Sequence, residues 1–503
     1  MRFFLPRSRG GALWRFALAG VLVVTCTAAA TAVAGLLEVK TITSYFTAPS
    51  IVHPRVQVPQ PGQPQTILIL GSDHRAGEPQ SAANSDTIML VRINGDSDTI
   101  NVISVPRDLQ VNIPLPTGFA QTAKINASYP LGGPNLVIKT LQHDVFSQLK
   151  VNHIVDINFL GFKKLVDAIG CVYTDVDRRY YNLNLGTEAT NYSNIDIQAG
   201  YQKLCDDAAL AYVRYRHTDT DIVRSARQQD FIRDAKNQYG QTRLIEDRDK
   251  LLKIFGRYTQ TDANLHSVDG LINLFNLVAF ADGHAIREVH FPAILLPCNP
   301  PAPCYVTATP QAEAAAYRSF MRVIKTAPAP SSASSASSAG AAGRPHSARS
   351  ARAPTAGLES DPTDGKAQAA AMRSSLPVYV PRMIASGTTY EGPAAGEYPR
   401  AYELRDPRGR PHASYRLVLA YNATLGQFYG VQGTTWREAP ILSSPSEIRV
   451  IAGKRLELHF DGGKLRLVAW RTPHGVYWVS NTLSLDLSNQ QMLGIAASLT
   501  LAR

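Results

Sequence analysis

The sequence predicts a layered α/β domain followed by a smaller β-rich domain, and three observations carry that expectation. Between residues 66 and 326, short runs rich in Ile, Leu and Val take turns with segments of helical periodicity. Beyond residue 376, alternating runs recur with turn residues between them. Between the two, residues 327–357 hold 26 Ala, Ser, Pro or Gly out of 31, too little apolar surface to offset the entropy of ordering. We therefore expect a linker over residues 327–375.

Taken in order, Thr66–Leu70 reads as a buried strand, and Thr87–Ile93 and Thr99–Val105 as two more around the turn residues Asn94, Gly95 and Asp96. Gly132-Gly133-Pro134 opens a helix expected to run to about Lys150, with Pro134 near its first turn. Ile154–Asn158 is a strand, Leu160–Ile169 a helix ending at Gly170, and Cys171–Val176 a strand. Helices are expected at 206–216, 223–238, 246–257, 267–281 and 310–326, with a strand at 286–291. In the second domain, Tyr415–Tyr421, Phe428–Gln432, Glu447–Ile451, Arg455–Phe460, Leu465–Trp470 and Val476–Val479 read as strands. Asp461-Gly462-Gly463 marks a hairpin, and Ser488 caps a terminal helix.

The chain has 503 residues, 45% hydrophobic and 18% charged, with a formal charge of +11. That excludes a chain disordered throughout, and a polytopic membrane protein is excluded because only one segment is long and apolar enough to span. Phe16–Leu37 carries no charge and follows Arg2, Arg7, Arg9 and Arg15. At about 1.5 Å per residue it is long enough to span a bilayer. Residues 1–15 then form a cytoplasmic tail, 16–37 a transmembrane signal anchor and 38–65 a stalk, with the remainder outside the cell membrane. A cleaved signal peptide is the competing reading, since Ala28–Ala34 is rich in small residues. In that oxidising compartment, Cys298 and Cys304 bracket a Pro-rich loop and suggest a local disulfide, leaving Cys171 for Cys205; four buried thiols are the alternative.

Three constellations carry chemistry. Gly71-Ser72-Asp73-His74-Arg75 follows the first strand and Asn84-Ser85-Asp86 precedes the second, so both carboxylates can sit at one sheet edge. Two such groups suit a hard cation such as Mg2+, although each could equally cap a turn. Arg107 and Asp108 close the Thr99–Val105 strand. The densest stretch runs from Tyr212 through Arg214, Arg216, Asp219, Asp221, Arg224 and Arg227 to Gln228 and Gln229. Arginines this close repel unless an anion joins them, which makes them a candidate diphosphate clamp. A solvated helix face is the plainer reading of any charge run. Asp221 stands where a helix N-cap belongs. No zinc-finger or homeodomain pattern, P-loop, GxSxG elbow or HExxH is found, and a basic cluster beyond an export anchor argues against nucleic acid.

These residues resemble the LytR-CpsA-Psr (LCP) family of cell-envelope phosphotransferases, actinobacterial type. The matching pieces occur in family order: ILILGSD, NSDTIML, ISVPRD, KINASY at 124–129, and ALAYVRYRHTDTDIVRSARQQDFI at 209–232. The resemblance implies a layered α/β/α fold with a mixed central sheet over residues 66–326. It implies an enzyme that takes a glycopolymer from a polyprenyl-diphosphate carrier and transfers it, with one phosphate, to peptidoglycan. Its implied partners are the lipid-linked glycopolymer, the peptidoglycan acceptor and the membrane, with Mg2+ as cofactor.

Carried over by position, Asp73 and Asp86 are the acids near the metal. Arg75, Arg107, Arg214, Arg216, Arg224, Arg227 and Gln228 surround the diphosphate. Asp221, Arg224 and Arg107 are closest to the reaction, Asp221 as general base or as the group that orients Arg224. Lys124 and Asn126 border the site. Leu136, Val137, Leu141, Val145, Phe159, Phe162 and Leu165 could line a prenyl pocket or belong to the core.

Residues 376–503 also resemble the tail of some actinobacterial members, and Trp436, Trp470, Tyr477 and Trp478 there are read as core in preference to a sugar platform. A hydrolase of the same lipid diphosphate and a non-enzymatic lipid- or sugar-binding scaffold are the competing functions.

Overall fold

The structure is a computed structural model. It describes residues 62–73, 83–184, 194–216, 218–265, 284–297, 304–325, 352–361, 363–392 and 399–502, with a few isolated positions besides. The expected anchor at 16–37, Arg75, Cys298 and most of the expected helix at 267–281 lie outside the described residues. Among the described residues, no helix is long and apolar enough to cross a membrane.

The first domain is built on strands β1 (Gln65–Ser72), β2 (Ser85–Ile93) and β3 (Thr99–Ser104). A hairpin, β4 (Gln110–Pro114) and β5 (Ala120–Lys124), leads to helix α1 (Ser128–Thr140). Next come β6 (His153–Asn158), α2 (Phe159–Ala168), β7 (Val172–Val176) and β8 (Gly200–Leu204). Helices α3 (Asp206–Arg214), α4 (Asp221–Tyr239) and α5 (Arg248–Tyr258) precede β9 (Thr259–Thr261), β10 (Ala285–Val289) and α6 (Pro310–Met321). The central sheet has the order β9-β6-β1-β2-β3-β10 and is mixed. The pairs β1–β6 and β3–β10 are parallel, and β1–β2, β2–β3 and β6–β9 are antiparallel. One core cluster, including Leu68, Leu70, Leu90 and Ile103, packs under α1 and α6. Another, including Ile67, Met89, Val102 and Val155, packs beneath Ile232 and Phe255 on the opposite face. This is the layered α/β/α arrangement.

The run α1 consists of two helices that meet at a kink: an unexpected first turn from Ser128, then non-helical Gly132 and Gly133 (φ +64), after which the expected helix opens at Pro134, whose missing N–H costs nothing in a first turn. A π turn over Leu141–Val145 then ends it short of the expected Lys150. Helix α2 is as expected: the Asn158 side chain accepts from Gly161 N, and Gly170 follows with φ +84. The β4–β5 hairpin went unread because its exposed residues, such as Gln110 and Asn112, weaken the apolar alternation.

The linker is also shorter than expected. Residues 358–360 form strand β11 (Leu358–Ser360) and residues 364–371 helix α7 (Asp364–Ala371). β11 pairs with β12 (Met383–Ala385), and Ala353, Leu358 and Met372 pack on the second core. Composition alone hid this, because a few apolar anchors suffice where a neighbouring core is already formed. Strands β13 (Thr389–Tyr390), β14 (Arg400–Arg405), β15 (Pro411–Asn422), β16 (Gln427–Thr434), β17 (Glu447–Ile451), β18 (Lys454–Asp461), β19 (Lys464–Arg471) and β20 (Val476–Ser480) make an eight-stranded antiparallel sheet. Helix α8 (Asn489–Ser498) covers it, with Ser488 and Gln491 forming a capping box. Trp436, Tyr477 and Trp478 are buried, as the core reading expects.

The Cys171–Cys205 disulfide closes β7 against the start of α3 across a separation of 34 residues. Cys304 is disulfide-bonded as well. Replacing both Cys171 and Cys205 by Ser should cost about 3–4 kcal/mol, read as a lower urea midpoint. An unchanged midpoint would show that the bridge constrains nothing.

Asp234 on α4 is buried and accepts from Thr174 Oγ1 at 2.7 Å. Burial, opposed by Arg466, pushes its carboxyl up to about 7. A folded-state value above the unfolded one favours the protonated form. Its contribution is complete at low pH and is lost as pH rises from about 4 to about 7. Asp234→Asn should therefore gain stability relative to the parent across that interval, measured by urea unfolding at several pH values; parallel curves would count against it.

Candidate active site

The carboxyl ends of β1, β3 and β6 meet the amino end of β2 at one edge of the sheet. Register does the rest. Ser104 stands opposite Met89, so three residues further on Arg107 comes alongside Asp86. On the other side of β2, Gly71 pairs with Thr87 but Ser72 pairs with Ser85, which leaves Asp86 as the extra residue of a β-bulge. A bulge re-aims its side chain. Arg107 Nη1 donates to Asp86 Oδ1, and Arg214 Nη2 lies 3.8 Å from Asp86 Oδ2. Asp73 sits one residue past β1, where its N–H donates to Asn84 O at 3.1 Å and its carboxylate accepts from Asn84 N.

Helix α4 delivers the remaining charges. Asp221, Arg224 and Gln228 recur at helical spacing and share a face. Asp221 Oδ2 accepts the Arg107 backbone N–H at 2.7 Å, and Oδ1 pairs with Arg224 Nη2. Asp221 is not the N-cap. That place belongs to Thr220, whose hydroxyl accepts from Val223 N. The Arg224 guanidinium is buried, and burial lowers its proton affinity from the ordinary value, with Asp221 acting in the opposite direction. Asp108, buried, ties Lys124 (3.0 Å) and Arg216 to the same edge, and Asn126 N donates to Arg107 O at 3.2 Å. A buried support lies beneath: Asp156 of β6 accepts from Ser72 Oγ at 2.8 Å and from Tyr129 OH. This joins the GSD and KINASY segments to β6, and explains why a Tyr stands at 129.

Arg227 is not part of this cluster. Its side chain is wholly buried on another side of α4, paired with Asp219 and donating to Tyr215 O. The Tyr180 ring lies 4.6 Å from its guanidinium carbon. The expectation that it binds diphosphate is corrected on that ground: the guanidinium is wholly buried and held by Asp219, Tyr215 O and the Tyr180 ring, away from Arg107, Arg214 and Arg224. The solvated-face reading of the 212–229 stretch is corrected too, since Arg224, Arg227, Gln228 and Gln229 are all buried.

Next to the charged edge lies an apolar cavity of about 310 Å3, within the range of small-molecule sites. Ile69, Met89, Ile157, Phe159, Phe162, Val213, Phe231 and Ile232 form its wall, with Asp86, Arg214 and Gln228 among its polar lining. Arg214 stacks over the Phe159 ring, its guanidinium carbon 3.8 Å from the centroid. Phe159 and Phe162 were expected there. Leu136, Val137, Leu141 and Val145 are instead part of the core beneath α1. Leu165 lines a separate groove with Leu251 and Phe255. The pocket residues on β1, β2 and α4 were missed because an inward-facing strand residue reads the same whether it meets another side chain or a void.

As a cation site, Asp73 and Asp86 supply hard oxygen donors from adjacent strands, the right chemistry for Mg2+. Among the described residues no cluster of three or more His, Cys, Asp or Glu could hold a metal. The remaining ligands would have to come from a bound phosphate and water, the usual way Mg2+ is held.

Sequence comparison places the chain beside known proteins. It is 30% identical over 214 residues to a polyisoprenyl-teichoic acid–peptidoglycan teichoic acid transferase, TagU, of Oceanobacillus iheyensis, covering 41% of this chain and 61% of that one. It is 28% identical over 222 residues to the corresponding TagT of Bacillus subtilis, covering 43% and 66%. The chain thus spans less than two thirds of either relative. A solved structure of TagT bound to LIIa-WTA aligns with a TM-score of 0.42 at 23% identity, over 55% of this chain and 98% of that one. Residues 32–295, just over half of the sequence, match the LytR_cpsA_psr family, and the chain belongs to that family.

Proposed function

We propose that this protein transfers a glycopolymer, with one phosphate, from a polyprenyl-diphosphate carrier to a sugar hydroxyl of peptidoglycan, at the outer face of a membrane that residues 16–37 anchor it to. The single observation behind this reading is the juxtaposition of Asp86, Arg107, Arg214 and Arg224 with an apolar cavity. A diphosphate joined to a hydrocarbon tail has that same division of polar and apolar parts. The names of the relatives agree, since both describe transfer of a polyisoprenyl-linked teichoic acid to peptidoglycan.

In this reading the acceptor oxygen bonds to the phosphorus bearing the glycan, and the bridging P–O bond breaks to release polyprenyl phosphate. The acceptor's proton ends on solvent or on the released phosphate. Such transfers depend on positioning and charge neutralisation more than on covalent help. Arg107, Arg214 and Arg224 present forks to the phosphate oxygens. Arg216, paired with Asp108, borders the same edge. Asp221 orients Arg224 and the Arg107 backbone, and with both oxygens so engaged it serves as an orienting group in preference to a general base. Asp73 and Asp86 would hold Mg2+, which supplies further neutralisation of the diphosphate. The apolar wall around Phe159 and Phe231 receives the prenyl chain.

Incubating the exported protein with a lipid-linked glycan and peptidoglycan should give a wall-linked phosphodiester product, and Arg107→Ala should lower turnover by about 10²-fold or more. Free phosphoglycan alone would establish the hydrolase, and undiminished function of Arg107→Ala would favour the scaffold. Leu210 of α3 also lines the cavity, and Leu210→Trp, which places an indole there, should raise KM at least tenfold for a long-chain donor and much less for one with a single isoprene unit. Equal effects on both donors would place the prenyl chain elsewhere.

A further inference from the structure

The linker suggests two independent modules, but the two domains share a buried interface, and it lies on α4. Arg233, nine residues along α4 from Arg224, is buried among Asp230, Glu288 of β10 and Asp461 of the second domain. Asp461 Oδ2 lies 2.6 Å from Arg233 Nη2, and Asp461 Oδ1 accepts the Glu288 N–H at 3.1 Å. A single carboxylate at the β18–β19 turn thus grips both α4 and the strand paired with β3, which leads to Arg107. At the other end of α4, Leu483 packs on Val223 and Ala226, flanking Arg224. Gly426 approaches Asp219 so closely that a Cβ there would lie 3.2 Å from Oδ1. A second buried pair, Arg416 with Asp175 at 3.0 and 3.1 Å, holds β15 to β7, and Trp478 Nε1 donates to the same carboxylate at 3.2 Å. Trp436 and Trp478 pack with Tyr173 and Tyr201 in one core shared by both domains. Surface recognition modules do not need such contacts, and buried charges are costly unless each is paired.

We propose that the β-rich C-terminal domain is a positioning element of the transfer site, holding α4 so that Arg224 meets the transferring phosphate, with Asp461 as its principal contact. This deepens the transferase reading and rests on it. Asp461 touches no reacting atom; it acts through Arg233 and the helix.

The test uses the full chain and a lipid-linked disaccharide donor. Asp461→Ala should lower kcat at least tenfold while KM for the donor stays within threefold, and Asp461→Glu should restore part of the loss. In an Arg224→Lys background the same Asp461→Ala change should cost less than twofold, because the group it positions is already altered. Equal losses in both backgrounds, or an unchanged kcat, would overturn the proposal. If Asp461→Ala does not fold, a protease site inserted between Ala341 and Ala342 decides the matter. The nicked halves should stay associated and active; parting them in urea and refolding the catalytic half alone should abolish transfer, and adding the C-terminal half back should restore it. A catalytic half that transfers at the parental rate without its partner would contradict the proposal. A parent chain that transfers nothing would defeat the transferase reading itself, a different result from any of these.

Discussion

Helix α4 carries Asp221, Arg224, Arg227, Arg233 and Asp234 into surroundings with almost no water, and much of the structure is arranged to make that tolerable. A charge in such a place survives only when paired and hydrogen-bonded. Each arginine on the helix has its own answer. Arg224 has Asp221, Arg227 has Asp219 and an aromatic box, and Arg233 has Glu288 and Asp461. Only the first of these answers lies at the sheet edge, beside Arg107 and Arg214. The others fix the helix so that this one is held still.

The sheet supplies the counterpart. Parallel pairing of β1 with β6, and the alignment of β3 through β2, bring three strand ends together. The bulge at Asp86 turns one carboxylate toward the arginines, and the cavity between the sheet and α2, α3 and α4 begins where the charges stop. Pre-placed charge in a site shielded from water is what a phosphoryl-transfer step requires, because little reorganisation remains once the substrate is bound.

Much of this was legible in the sequence because the decisive signals were local. GSD and PRD at strand ends and NSD at a strand start located the edge, and the dense stretch from Tyr212 to Gln229 located its arginines. The Asp461-Gly462-Gly463 turn was read correctly as a hairpin. What was not legible depended on long-range partners. Arg224 and Arg227 look alike in a sequence window, and only Tyr180 and Asp219 distinguish the buried structural arginine from the one at the site. Leu136 and Phe231 are equally apolar, and only tertiary packing separates core from cavity wall. The role of Asp461 is invisible locally because its partner lies 228 residues away.

The account rests on one claim, that a polyprenyl diphosphate lies with its phosphates between Arg107, Arg214 and Arg224 and its chain in the adjoining cavity. Electron density for crystals of the protein soaked with a short-chain polyprenyl diphosphate and Mg2+ tests it most directly. The account predicts density for the diphosphate against those three arginines, a cation at Asp73 and Asp86, and the chain running past Phe159 and Phe231. Density for the lipid in the groove at Leu165 and Leu251, or for the diphosphate away from Arg224, would contradict it.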